Sequence, residues 1–499
     1  MRVVQSFWSP NQKLGTCGFK TLQHHLQSWA LSSLTIAKFY PNLHLVTDQI
    51  GKHILIDTLK LPYKSFSLEF ENYQPLMAGE PWTIKKLLAY TTQNEPFIHI
   101  DSDVYIWQPF PNHILSAPLV AQNRDCDIKF YKEAYASIVQ NFSTVPEYLN
   151  GLTKIFGANA GIIGGTDYQF FKSLYNEVTS FLIANKKNLT TVNADYLSTF
   201  VEQSMYYYFS SETGRAIQYL FDFTVAAGDD PPLQQFTQLP DQCGYIHLML
   251  SKSNPLMCEL LSQRINLDFN EYDEAIKDYL NTLEKYKIVT ESNVAADNYP
   301  RTSELCKMLS SKFEFTLDQQ DAAAIIKDIE QKVTTGISDC LRDVYQFESE
   351  RSVFVEDFNW QNFKDHSLLV NDTISLGKEW LSQMTIQIST KVALIESEWT
   401  WCLRSGQATI TTEIDHIIGQ SPSYFLTAII PLHSSNTFYE YQFDASGLML
   451  IDLLSDSMTV TKAYQLMVEQ LPNRQQDFEQ RFYFYVRFFV YVGILEFKE

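Results

Sequence analysis

Short apolar runs alternate with helix-length stretches through the first hundred residues, and this alternation restricts the fold more than any other feature. Arg2–Phe7, Leu43–Thr47 and Phe97–Ile100 read as strands, and Phe19–Phe39 and Pro81–Thr92 as helices. Strands separated by helices imply βαβ units and a mostly parallel sheet. The expected fold class is therefore α/β, with a Rossmann-like, mostly parallel sheet in residues 1–290 and an α+β region after it. Ligands bind such sheets beyond the carboxyl ends of the strands. The polar residues that follow each run are thus the ones to inspect.

The pattern changes between residues 255 and 300. Ile276–Tyr286 reads as helix, and Thr290–Arg301 is polar and ends in Tyr-Pro. Leu317–Phe347 is amphipathic, with Ile325, Ile326, Ile329, Val333, Ile337, Leu341 and Val344 near one face. Met384–Thr390 and Val392–Trp401 read as strands. These shifts divide the chain into residues 1–290, an accessory region at 300–430 and a small domain at 431–499. Glu348, Glu350 and Arg351 read as a solvated helix end, and Asp229-Asp230 before two prolines as a loop.

Composition narrows the classes of partner. With 38 Lys plus Arg against 58 Asp plus Glu, the net charge is −20. Neither a nucleic-acid backbone nor an anionic membrane suits such a surface as the main partner. The seven cysteines are scattered and form no Cys-x-x-Cys pair, which points to reduced thiols in the cytoplasm. The opening residues lack a long apolar stretch, so no secretory signal is expected. Phe482–Phe497 is too short to span a bilayer and contains Arg487, so it reads as a buried final helix and strand.

The most informative segment is Phe97-Ile98-His99-Ile100-Asp101-Ser102-Asp103-Val104. Two carboxylates one residue apart at a strand end can share a hard divalent cation, Mn²⁺ or Mg²⁺, with substrate phosphates. In this context the segment resembles the Asp-x-Asp motif of GT-A glycosyltransferases, particularly glycosyltransferase family 8, the glycogenin and galactinol synthase type. Further matches follow in order. Val46-Thr47-Asp48 resembles the family's nucleotide-contacting segment, and Lys85 or Lys86 stands where the family carries a basic residue. Gly157-Ala158-Asn159-Ala160-Gly161 resembles its donor-sugar segment Phe-Asn-Ala-Gly-Val. Phe200-Val201-Glu202-Gln203 resembles its Asp-Gln segment, and Tyr245–Lys252 its His…Lys segment. Glu202 replaces the family's aspartate, Leu250 replaces its glycine, and the His-to-Lys spacing is one residue shorter.

The resemblance covers residues 1–255 and implies a metal held by Asp101, Asp103 and His247. It implies a nucleotide-sugar donor, UDP-linked by preference, contacted by Thr47, Asp48, Lys85, Ser102 and Lys252. It places Glu202, Asn159 and Gly161 at the reacting sugar, with Glu202 a general base if the reaction inverts configuration. Each residue also has an ordinary reading. Asp101 and Asp103 fit a turn, His247 a core histidine, and Asn159 and Gly161 a turn. Glu202 fits a solvated helix, Lys85 the surface, and Trp8 either base stacking or core.

The last segment runs strand (Phe438–Phe443), turn (Asp444–Gly447), then helices starting at Leu448, near Thr459 and at Phe478. This order resembles the PqqD-like domain that binds leader peptides of ribosomally made peptides by strand addition. It fits a winged-helix-like accessory domain equally. The function expected is a metal-dependent glycosyltransferase whose acceptor is a precursor peptide. The alternative is a catalytically degenerate glycosyltransferase-fold protein acting as a scaffold in peptide maturation.

Overall fold

The computed structural model describes residues 1–9, 15–226, 236, 244–284, 301–302, 305, 327, 335–360, 377–401, 421–432, 437–470 and 478–498. Asp229, Asp230 and most of the 317–347 pattern, including Ile325, Ile326, Ile329 and Val333, lie outside them. The chain divides into two compact units: residues 1–251 with 268–284, and residues 252–267 with 285–499.

The strands of the first unit are β1 (Arg2–Ser6), β2 (Leu43–Val46), β3 (Ser65–Ser67), β4 (Phe97–Ile100), β5 (Val104–Ile106), β6 (Leu119–Ala121), β7 (Arg124–Cys126), β8 (Phe156–Ala158), β9 (Ile162–Gly165), β10 (Ile217–Tyr219), β11 (Thr224–Ala226) and β12 (Tyr245–His247). Seven of them form a sheet in the order β10-β6-β9-β4-β1-β2-β3. β1 pairs in parallel with β2 and β4, β2 with β3, and β6 with β10. Only β9, inserted between β4 and β6, runs antiparallel to its neighbours. This is the expected α/β class with a parallel-rich sheet. The winding direction reverses between β1 and β4, which makes their carboxyl ends the switch-point crevice where ligands bind in such sheets.

β4 is buried on both faces. Phe97 packs edge-on against Phe171 on one side, while Ile98 and Ile100 join Ile36 and Val120 on the other. That is why the strand reads as an unbroken apolar run. The helix Leu22–Phe39, capped by Thr21, carries a polar row inside its buried face. Ser28 Oγ donates to the Ser102 carbonyl (2.7 Å) and Ser32 Oγ to the Val104 carbonyl (2.7 Å), and Thr35 Oγ1 accepts from Ile106 N–H (3.3 Å). Spaced four and then three residues apart, these hydroxyls share one helix face. They satisfy backbone groups of the β4–β5 turn that would otherwise be buried unpaired.

The second unit contains β13 (Thr385–Ile388), β14 (Ala393–Ser397), β15 (Phe425–Leu432), β16 (Thr437–Gln442), β17 (Met458–Thr459) and β18 (Leu495–Phe497). They form two antiparallel sheets, β17-β13-β18 and β14-β15-β16. Helices span Thr335–Asp357, Ala445–Leu453, Val460–Gln470 and Phe478–Tyr491. Leu341, Val344 and Phe347 bury the inner face of the first of these. Glu348 corrects the sequence reading, because it is not solvated but fully buried. Its carboxylate accepts from the backbone N–H groups of Arg301 (2.8 Å) and Thr302 (2.9 Å) and pairs with the Arg301 guanidinium. Glu440 bridges Arg301 and Arg351. Among the described residues no helix is long and apolar enough to cross a membrane.

Candidate functional site

The chain leaves β4 at Ile100 and turns through Asp101-Ser102-Asp103 into β5, with Val104 N–H donating back to the Asp101 carbonyl (3.1 Å). β5 pairs antiparallel with β12, which sets His247 opposite Val104, and Leu248 N–H donates to the Asp103 carbonyl (3.1 Å). The pairing brings the His247 Nε2 to 3.5 Å from Asp103 Oδ2. Asp101, Asp103 and His247 each offer one ligand atom, and these atoms lie within 4.8 Å of one another. Two carboxylate oxygens and an imidazole nitrogen suit Mn²⁺ or Mg²⁺.

The tautomer of His247 follows from its other nitrogen. His247 Nδ1 is 2.7 Å from Gln122 Oε1, an oxygen that also accepts from Tyr245 OH (2.6 Å). The Gln122 amide nitrogen is committed to Asn123 Oδ1 (2.9 Å), so Oε1 is the acceptor and His247 Nδ1 carries the proton. Nε2 then presents its lone pair toward Asp103. Orienting a metal-binding imidazole through its remote N–H is the usual way such ligands are held. Sequence reading missed Gln122. Nothing in its immediate sequence marks it; it follows directly on β6, and its amide oxygen meets Tyr245 and His247 of β12 only in the folded chain.

Gly161 touches both halves of this arrangement. Its carbonyl accepts from Asp101 N–H (3.1 Å). A Cβ at position 161 would lie 2.2 Å from Gln122 Oε1 and 2.6 Å from His247 Nδ1, so no side chain fits. Asn159 shapes the turn before it: Oδ1 accepts from Gly161 N–H (3.1 Å), and Nδ2 donates to Asp125 Oδ2 (3.3 Å). Asp125 is buried, and burial pushes its carboxyl up to about 6 against the hydrogen bonds from Asn123, Tyr131 and Asn159.

On the other side of Asp101 stands a chain of buried charge. Lys86 Nζ lies 2.8 Å from Asp101 Oδ1 and 2.8 Å from Glu202 Oε1. Tyr90 OH donates to the same Glu202 oxygen (2.6 Å). Lys86 and Tyr90 project from the helix Ile84–Thr91, one turn apart. Glu202 lies on a π-helical turn, Phe200–Ser204, between the helices Ala194–Thr199 and Met205–Glu212. Burial disfavours the Lys86 ammonium, but Asp101 and Glu202 outweigh it and hold the group charged. Burial also raises the Glu202 carboxyl, with Lys86 acting against it. Glu202 is not a solvated helix residue: it is 1 % exposed and committed to Lys86 and Tyr90.

Of the two adjacent lysines, Lys86 meets Asp101. Lys85 points away, 3.3 Å from Glu80 Oε1 and over the rings of Trp8 (3.9 Å) and Tyr73 (4.7 Å). Asp48 is engaged within the protein. Its Oδ1 accepts from Gly51 N–H (2.8 Å), and its Oδ2 from the backbone (2.7 Å) and hydroxyl (2.6 Å) of Ser9. Thr47 Oγ1 is buried and makes no hydrogen bond, at the carboxyl end of β2. Ser102 is held through its carbonyl by Ser28. Lys252 follows the turn Met249–Ser251, and its carbonyl accepts from Cys258 Sγ (3.1 Å).

The fold and cluster together define an α/β protein with a cation-ready group of side chains at the switch point of its sheet. Residues 1–279, more than half of the chain, match the model of DUF6734, a family of unknown function, and the chain belongs to that family. No curated protein matches the sequence. Among solved structures it is similar to the galactosyltransferase LgtC in complex with donor and acceptor sugar analogs, at 10 % identity and a TM-score of 0.25, over 40 % of this chain and 70 % of that one.

Proposed function

We propose that the chain is a metal-dependent glycosyltransferase that uses a nucleotide-sugar donor. The observation that carries this reading is the Asp101–Asp103–His247 cluster at the β1/β4 switch point. When bound there, Mn²⁺ or Mg²⁺ would supply Lewis-acid stabilisation of a departing nucleoside diphosphate. The rest falls to side chains. Gln122 orients His247, and Gly161 leaves room for that pair. Lys86, paired with Asp101, offsets the acidic net charge that would repel a diphosphate. Glu202 is too enclosed to take a proton from an acceptor and instead holds Lys86 in place, which favours the retaining course implied by the family 8 resemblance.

The finer reading assigns residues 1–290 to catalysis, 300–430 to an accessory role and 431–499 to a PqqD-like peptide-binding domain. The succession of β16 and three helices supports the last assignment. The cap at Asp444, whose Oδ1 accepts from Gly447 N–H (2.8 Å), is also consistent with it. The donor is then a UDP-sugar, with Thr47 and Ser102, at the carboxyl ends of β2 and β4, on the nucleotide side. The acceptor is a ribosomally made peptide in the cytoplasm. A thermal-shift panel of nucleoside diphosphates and nucleotide sugars, with and without Mn²⁺, tests the catalytic part. A metal-dependent rise with one nucleotide, lost in Asp103→Ala, supports it, since a ligand bound only to the native state stabilises that state. The absence of any shift across the panel overturns it.

A further inference from the structure

Among the described residues beside the switch-point cluster, His99 is a titratable residue left without a role. It lies two residues before Asp101 on β4 and is buried, with its ring edge-on to Tyr90 at 5.0 Å. Nε2 is 2.9 Å from Ser6 Oγ, across the β1/β4 pairing. Nδ1 has no hydrogen-bond partner, yet it stands 3.7 Å from Asp101 Oδ1. A buried nitrogen left unpaired is costly. Here the acceptor that would satisfy it is a few tenths of an ångström out of range. The same oxygen of Asp101 is held by Lys86 at 2.8 Å.

We propose that His99 is a positioning residue for Asp101, and that Asp101 exchanges Lys86 for His99 when a divalent cation enters the cluster. The inference rests on the cation-site reading above. Two observations favour it. First, Ser6 can donate its hydroxyl proton to Nε2, which places the imidazole proton on Nδ1, facing Asp101. Second, Lys86 already has a second carboxylate, Glu202, at 2.8 Å. Lys86 could then leave Asp101 for Glu202 without losing a charge partner, since a bound dication would disfavour an ammonium beside Asp101. Asp101 then needs a neutral donor to fix its carboxylate, and His99 Nδ1 is the one in place. Lys86, released from Asp101, becomes available to an incoming phosphate oxygen.

The test uses the atomic difference between two amides. An asparagine at 99 places its NH₂ near the position of Nδ1, whereas a glutamine reaches the position of Nε2 and the Ser6 contact only. Mn²⁺ affinity of the full chain is measured by electron paramagnetic resonance for the native protein and for His99→Asn, His99→Gln and His99→Phe. Melting temperatures are recorded alongside. The expected result is about a tenfold or greater loss of Mn²⁺ affinity in His99→Gln and His99→Phe, with His99→Asn within a few-fold of native. Should His99→Phe not fold, the asparagine–glutamine pair decides. Equal Mn²⁺ affinity in the native, asparagine and glutamine proteins overturns the role of His99 while leaving the cation site intact. A native protein that binds no Mn²⁺ overturns the cation-site reading itself.

Discussion

Replacing Gly161 with alanine places one methyl group where the structure has least room for it. The new Cβ would sit 2.2 Å from Gln122 Oε1, 2.6 Å from His247 Nδ1 and 2.7 Å from His247 Cε1, whereas Gln122 and His247 are 2.7 Å apart in their hydrogen bond. Both partners must move, and they move apart. The backbone is not the obstacle, since Gly161, unlike Gly164 and Gly165, is outside the left-handed region. Overpacking costs about 1–3 kcal/mol, and breaking a buried hydrogen bond costs about 1–3 kcal/mol more. A total of about 2–6 kcal/mol corresponds to a melting temperature lower by about 5–20 °C. Mn²⁺ affinity should fall with it by about 10–100-fold, because the imidazole loses the contact that orients it. Calorimetric melting and Mn²⁺ titration read the two effects. The double variant Gly161→Ala/Gln122→Ala removes the shortest clash and should cost less than the sum of its parts. A Gly161→Ala protein with native melting temperature and native Mn²⁺ affinity would refute the reasoning.

Three other perturbations have defined outcomes. Asp125 has a folded-state pKa of about 6 against an ordinary 3.8, so the folded protein binds the extra proton between those values, and stability falls as pH rises through that window. The loss is about 3 kcal/mol, and Asp125→Asn should abolish that slope in urea midpoints taken across the window; an unchanged slope contradicts it. Ser32→Ala strands the Val104 carbonyl and the Gln5 amide, which donates to Ser32 Oγ (2.9 Å). It should cost about 2–3 kcal/mol by urea unfolding, and a cost near zero would mean that the helix does not hold the β4–β5 turn. Lys86→Met leaves Glu202 buried without its cation and should cost about 3–5 kcal/mol. Adding Glu202→Gln should restore most of the lost melting temperature, and failure to restore it would show that the pair is not the source of the loss.

The strands and helices that carry the site were legible because each has a strong local signature. Phe97–Ile100 is observed with the bounds read from sequence, and β1 and β2 end one residue earlier than read. The helix read from Phe19 begins at Leu22, after its Thr21 cap. Three-residue strands such as β5, β7 and β12 have no pattern of their own and exist because a neighbour offers a ladder. The metal-ligand candidates were legible as a spaced pair of carboxylates and a distant histidine. What surrounds them was not. Gln122, Ser28 and Ser32 look like ordinary polar residues until tertiary pairing places them, and Glu348 looked solvated because charge in a helix usually is. Lys85 and Lys86 are indistinguishable in sequence, yet adjacent helix positions differ by about 100° and face different partners.

The central claim is that Asp101, Asp103 and His247 form one cation site serving a nucleoside diphosphate. Isothermal titration of UDP into the full chain, with and without Mn²⁺, tests it most directly. The account predicts a single saturable site that requires Mn²⁺ and disappears in both Asp103→Asn and His247→Ala. UDP binding that is indifferent to Mn²⁺, or that survives both substitutions, would contradict it.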